Sequence, residues 1–386
     1  MLWLRWLFSR TVRDALNLCR HVERLAHAQA DLLSPAAREG LQNATSELRR
    51  VLREGANPIA VREQMDAVED AARQWLLRYP HPRLRENFEV MLVALAVAMG
   101  IRTFFLQPFK IPTGSMQPTL FGVTSVNLLQ YPGFQPPKGW QRIREWFAGV
   151  SYVKVVAKTD GPIQRVDPPV RLLFFNLKQT LWIGGVPHTI WFPPDTGQYD
   201  IAVRGGLRPG QYFRKGDTVL HVRVHSGDHL FVDRMTYNFR PPRRGEIIVF
   251  ETAGIRGLPQ DQYYIKRLVA LGGERVQIGP DRHVLINGRR LTHLDPGFEL
   301  VYSFDPDQPP RDSQYSGHVD GQRLAPLFYE NPEGVVVPRG HYMVMGDNTL
   351  NSLDSRAWGP LPARNVIGRF WFVYWPITER FGWAPH

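Results

Sequence analysis

Between residues 10 and 80 the apolar positions recur three or four apart. Ala15, Leu18, Val22, Leu25, Ala28 and Leu32 make one series, Leu41, Leu48 and Leu52 a second, and Met65, Val68, Ala72 and Leu76 a third. That spacing lines one stripe of a helix against a core. Pro35 and the 55–58 stretch, which ends in Pro58, interrupt the series. The pattern therefore predicts a helical hairpin or short three-helix bundle over residues 1–80. The opening MLWLRWLFSR is too short in its apolar part for a secretion signal. Its Trp, Leu and Arg suit either a membrane interface or a helix packed on its neighbours.

Residues 88–106, FEVMLVALAVAMGIRTFFL, are the most apolar stretch of the chain. As a helix they extend about 28 Å, close to the thickness of a bilayer's hydrocarbon. Glu89 and Arg102 lie near the two ends, where a long side chain can reach the headgroups. The run without interruption, 90–101, is short enough that a buried core helix is the alternative. Arg73, Arg78, Arg83 and Arg85 precede the stretch and only Arg102 and Lys110 closely follow it. A single transmembrane helix would then keep its N-terminus in the cytoplasm and put residues after 107 outside.

Beyond residue 107 the period changes. HLFVDRM, GEIIVFE, YIKRLVAL, HYMVMGD and VIGRFWFVYW are short apolar or alternating runs bounded by Gly, Pro, Asn and Asp, as strands are. Most of the 32 prolines and 33 glycines also fall here. The expected fold class is a mainly β body behind an α-helical N-terminal region and one transmembrane helix.

Composition narrows the picture further. With 386 residues, 43% of them apolar, the chain can bury more than one core. The net charge of +11 is compatible with nucleic acid, anionic lipid or solubility. No nucleic-acid recognition motif accompanies the arginines, so nucleic acid is not an expected partner. A single cysteine, Cys19, excludes an intrachain disulfide and any multi-cysteine metal site.

Directly behind the apolar stretch stands IPTGSMQPTL, with Ser115 between Gly114 and Met116. A serine hydroxyl is a poor nucleophile without a base beside it. The 12 histidines are scattered, and a triad cannot be assembled from sequence order. YYIKRLVALGG offers another base, because Lys266 sits in an apolar strand on the same face as Tyr264 and Leu268. Desolvated there it would give up its proton readily; taken alone, the fragment also reads as a surface strand carrying a lysine.

Four segments together, in this order behind an apolar span, resemble the type I signal peptidases, membrane-bound Ser-Lys endopeptidases. They are IPTGSMQPTL, SGDHLFVDRMTYNFRPPRRGEIIVF, YIKRLVALGGE and GDNTLNSLDSRAWGPL. The resemblance implies that Ser115 is the nucleophile and Lys266 the general base. Ser352 takes the place of the serine that orients the base, with Asp354 and Arg356 in support. Thr113 stands where the family has an oxyanion hydroxyl, usually a serine. Ile111, Pro112, Met116, Leu120, Tyr264 and Ile265 match positions lining shallow pockets for small residues at the first and third places before the cut. No cofactor or metal is implied. The implied partners are preproteins with signal peptides, the lipid bilayer and the export translocon, at the plasma membrane.

The expected catalytic domain comprises a nucleophile segment at 107–123 and the remainder at 226–386. Residues 124–225 intervene as an inserted β-rich module, and a loop-rich insertion falls at about 290–335. A self-cleaving Ser-Lys regulator and a catalytically silent membrane-anchored scaffold are the alternative readings. The apolar span and the GDNTLNSLDSRAWG segment weigh against the regulator.

Overall fold

Ser34 and Asn57 cap two of the predicted helices from the front, each with a proline at the next position. The computed structural model, which describes residues 9–55, 57–77, 82–131, 133–172, 175–303 and 317–383, places α1 at Arg10–Ala28, α2 at Pro35–Glu54 and α3 at Pro58–Trp75. The Ser34 hydroxyl accepts from Ala37 N–H, and Asn57 Oδ1 accepts from Ile59 and Ala60 N–H. Gly55, in the left-handed region at φ 81°, ends α2.

Ala15, Cys19 and Val22 of α1 pack with Leu41, Leu48 and Leu52 of α2 and Val61 and Val68 of α3. The apolar series of α1 runs on to Leu32, but the helix stops at Ala28 and leaves Leu32 exposed. Gln29 is the reason: its side-chain amide donates to Leu77 O and accepts from Leu77 N–H, tying the end of α1 to the chain after α3. The interface reading of MLWLRWLFSR rests mainly on residues 1–8, which lie outside the described residues.

The chain divides into two compact units, Met1–Leu95 and Ala96–His386. Helix α4 spans Pro82–Phe104, and its stretch Leu84–Phe104 is long and apolar enough to cross a membrane, with none of it buried in the protein. The helix stops two residues before the expected 106. Pro108 accounts for this, since it pushes Gln107 into extended backbone and Leu106 is already paired in a strand.

Strand β1 (Leu106–Lys110) opens an eight-stranded antiparallel sheet with β2 (His229–Asp233), β3 (Ile247–Glu251), β4 (Tyr263–Ala270), β5 (His341–Met345), β6 (Leu361–Pro362), β7 (Val366–Trp375) and β8 (Gly382–Trp383). Their order is β1-β2-β7-β3-β4-β5-β6, with β8 beside β7. Five of these strands cover the five apolar runs read from sequence. Ile111, Met116 and Leu120 pack under the sheet with Leu230, Val232, Ile247 and Val249.

Residues 124–225 form two further sheets. In one, Thr218–His225 lies between Thr124–Asn127 and Val150–Val156; in the other, five strands gather around Phe175–Ile183 and Gly161–Val166. Val153, Val155, Ile163, Leu181, Ile183 and Val219 give this region a core of its own. The sequence echo GDTVLHVRV and GDHLFVDRM thus falls on consecutive strands of different sheets. The stretch 290–335 has few regular elements, yet Leu291, Phe298, Val301, Tyr302 and Phe328 are buried against Val276, Val284 and Ile286. Its composition concealed these plugs; residues 304–316 of the stretch lie outside the described residues.

Candidate active site

Alternation along β4 turns Lys266 to the same face as Tyr264 and Leu268, and pairing sets it opposite Ile248 of β3. Leu268 and Ile248 are fully buried, and the Tyr264 ring centre is 5.7 Å from Lys266 Nζ. On the other side the turn after Gly114 brings in Ser115, whose Oγ stands 2.8 Å from Nζ. The amine donates in that bond when charged and accepts when neutral. Both side chains are buried, Ser115 at 6% and Lys266 at 4% exposure.

Burial pushes the Lys266 pKa down to about 8, against the nearby Asp354 and Asp347 carboxylates, which raise it; Arg356 adds to the lowering. The sequence-predicted base is still mostly protonated at neutral pH but gives up its proton far more readily than an exposed lysine, and it is in contact with the sequence-predicted nucleophile.

The GDN turn after β5 holds the serine in place. Asn348 N–H donates to Ser115 O at 3.0 Å, and its side-chain amide donates to Gly114 O at 2.9 Å. Gly346 passes so close that a Cβ there would lie 2.5 Å from Ser115 O and 2.2 Å from Ser352 Oγ, so no other residue fits. Among the described residues the Ser115 N–H has no backbone acceptor.

Asp354 and Arg356 form a fully buried two-point ion pair, Nε to Oδ1 and Nη2 to Oδ2, both 2.9 Å. Asp354 also accepts from Gly346 N–H, and Arg356 donates to Thr349 O and Oγ1 and to Val319 O. These bonds hold the Asp354 carboxyl below its ordinary range despite its burial. Ser352 is buried beside this pair, where its hydroxyl helps to hold the Asp354 carboxyl low, and among the described residues it makes no hydrogen bond to Lys266.

Thr113 is half-buried two residues before Ser115. Of the expected pocket residues, Pro112, Tyr264 and Ile265 keep exposed surface, while Ile111, Met116 and Leu120 are closed off in the core. Among the described residues no group of His, Cys, Asp or Glu is placed to hold a metal.

Two clamps escaped the sequence reading. Arg267, next to Lys266 but on the opposite face, makes a buried two-point pair with Asp347 and donates to Thr119 Oγ1 and Gly245 O. A second cation in an apolar strand was the available signal, because alternation buries it on the other side, where it demands a carboxylate. Asp228 closes the nucleophile loop at both ends: its O accepts from Ile111 N–H, its N–H donates to Phe121 O, and its carboxylate accepts from Phe121 N–H. Arg380 holds that carboxylate through Nε and Nη2 and lies over the Phe121 ring. Arg380→Gln is expected to lower stability by about 2 kcal/mol, the scale of hydrogen bonds to a charged group. Urea unfolding measures it; an unchanged midpoint would remove the clamp from the account.

A family model described as "Signal peptidase, peptidase S26" matches residues 84–143 and 205–375 and leaves 144–204 unmatched. Signal peptidase I of Leptolyngbya laminosa is 34% identical over 155 residues, covering 39% of this chain and 62% of that protein. Probable signal peptidase I-1 of Synechocystis is 36% identical over 159 residues, 40% of this chain and 66% of that one. Signal peptidase I of Aquifex aeolicus is 32% identical over 187 residues, 39% and 69%. The matched part thus spans somewhat under two thirds of the first two relatives. A crystal structure of a signal peptidase I from Enterococcus faecalis aligns over 34% of this chain and 97% of that one at 29% identity; its TM-score of 0.24 carries nothing about the fold.

Proposed function

From the premise that the chain belongs to the signal peptidase S26 family, we propose that it is a membrane-anchored serine endopeptidase that removes signal peptides from exported preproteins after small residues. The observation that carries this reading is the buried 2.8 Å contact between Ser115 Oγ and Lys266 Nζ. Neutral Lys266 accepts the hydroxyl proton as Ser115 Oγ attacks the scissile carbonyl carbon, and the Ser115 N–H and Thr113 hydroxyl donate to the developing oxyanion. The lysine then passes the proton to the leaving amine. A water, deprotonated by the again neutral Lys266 amine, attacks the acyl-enzyme carbonyl carbon, and the lysine returns that proton to Ser115 Oγ as the ester bond breaks.

Pro112, Tyr264 and Ile265 offer the substrate its apolar contacts, with Ile111, Met116 and Leu120 as the floor beneath. Asp354 and Arg356 hold the GDN turn, and Ser352 orients the amine once substrate closes the site. Helix α4 crosses the plasma membrane with the N-terminus in the cytoplasm, so preproteins reach the site on the far side, from the export translocon.

The decisive experiment mixes the protein, in detergent, with a precursor carrying an Ala-X-Ala site and sequences the new N-terminus. Cleavage after the second Ala supports the reading, and an intact precursor overturns it. The pH profile tests the base. With a folded pKa near 8, neutral lysine rises tenfold per pH unit below that value and levels off above it. The expected kcat/KM therefore climbs with unit slope and bends near pH 8. A bend near pH 6 that vanishes on replacing one histidine would give the role to that histidine.

A further inference from the structure

Arginines line a cavity of about 340 Å3 at the edge of the sheet where the chain leaves its apolar helix. Register puts Leu106, Asp233 and Arg369 in one row across β1, β2 and β7. Leu106 follows the end of α4 by two residues, so this row begins beside the helix exit. Arg369 stands two strand spacings from β1, about 10 Å. Arg240, Arg243 and Arg244 converge on the same cavity, and Trp371 and Trp383 form its apolar wall, ring centres 4.6 Å apart. Trp383 is largely exposed.

One positive charge is left over. Among the described residues Glu246 is the one carboxylate lining the cavity, shared between Arg240 and Arg369, and Arg369 is held from outside the lining by Asp233 as well. Arg244 reaches Glu274 through Nη2, which leaves its Nε buried with no hydrogen-bond partner. Arg243 gives Glu246 only its backbone N–H, and its exposed guanidinium makes no ion pair among the described residues. Arg267 also reaches this cavity, but Asp347 engages it.

An orphaned guanidinium N–H, a spare cation beside it and a tryptophan wall near the helix exit match a phosphodiester with apolar chains beside it. We propose that this cavity binds the headgroup of an anionic phospholipid in the leaflet that α4 reaches at its C-terminal end. A zwitterionic lipid is disfavoured because its own cation meets the arginines. Free phosphate leaves the tryptophans unused. The site rests on α4 entering a bilayer and is independent of the peptidase reading.

The test titrates the full chain, in a neutral detergent, with fluorescent phosphatidylglycerol and, separately, fluorescent phosphatidylcholine, and repeats the first titration with inorganic phosphate as competitor. Wild type is expected to bind phosphatidylglycerol at least tenfold more tightly. R243Q/R244Q is expected to abolish that preference, and R243Q alone, whose guanidinium supports nothing else, to cut it about threefold in a fully folded protein. An exposed pair elsewhere, R208Q/R214Q, should change nothing. Equal affinity for the two lipids, a preference untouched by R243Q, or full displacement by millimolar phosphate would each overturn the proposal. Binding is read without any cleavage assay, so a protein inert toward precursors but selective for phosphatidylglycerol would sink only the peptidase reading.

Discussion

Replacing Ser115 with Ala or Lys266 with Met should each lower precursor cleavage by about 10⁴-fold or more, and the double variant should be no worse than either single one. Members of one catalytic unit do not add, because removing the nucleophile leaves the base nothing to activate. The 2.8 Å contact makes these two side chains such a unit. The stability of Lys266→Met separates lost chemistry from lost folding. Unfolded, the lysine keeps its proton up to about pH 10.5; folded, it gives it up near 8. Below pH 8 both states are protonated, and the native protein carries the full cost of a buried cation. Between those values the unfolded state binds more protons, so stability rises with pH and the cost disappears. Lys266→Met should therefore be inactive yet more stable at neutral pH, by up to roughly 3 kcal/mol. Substantial activity in either folded single variant would dissolve the pair.

Arg356→Met should cost about 3 to 5 kcal/mol, the usual consequence of stripping one partner from a fully buried ion pair. Asp354 would stay at the centre of the body with no cation, beside a lysine whose pKa its carboxylate raises and Arg356 lowers. The rising limb of kcat/KM should accordingly move to higher pH in Arg356→Met. Removing both charges in Arg356→Met/Asp354→Leu should recover much of the stability and return the limb toward pH 8, since the two act on Lys266 in opposite senses. Thermal unfolding and the pH profile read these separately. Stability lost with the limb unmoved would make the pair a brace for the GDN turn and nothing more.

What could be read from sequence was what is local. Periodicity located α1 to α3 and five strands of the main sheet, and the apolar setting of Lys266 marked it as a candidate base before any partner was in view. The C-terminal end of α4 was misjudged because hydropathy continues through Phe105 and Leu106 while Pro108 sets the backbone. Ile111, Met116 and Leu120 illustrate a different limit. An apolar residue beside a nucleophile reads the same whether it lines the floor of a pocket or only fills the core, and these three are buried.

The clamps were out of reach for a plainer reason. Asn348 and Gly114 are 234 residues apart, and Arg380 and Asp228 are 152 apart. No spacing rule connects such residues. Arg267 alone carried a local signal, an extra cation in an apolar strand, which states that a carboxylate is needed without saying which. Ser352 marks the boundary of what the resemblance supplies: its position is matched, and its hydroxyl sits beside Asp354 with no bond to Lys266.

The order of the chain also sets a clock. Ser115 emerges early in synthesis, whereas Lys266, Asn348, Arg356 and Arg380 follow in turn, with the two sheets of residues 124–225 made in between. At about 5 to 20 residues per second, Arg380 leaves the ribosome roughly 15 to 50 seconds after Ser115. Through that interval the loop holding the serine lacks the Asp228–Arg380 closure and the Asn348 grip. On the proposed reading, in which Ser115 is the nucleophile and the residues after 107 cross the membrane, the protein crosses with an unassembled nucleophile and arms it only after Arg380 has followed.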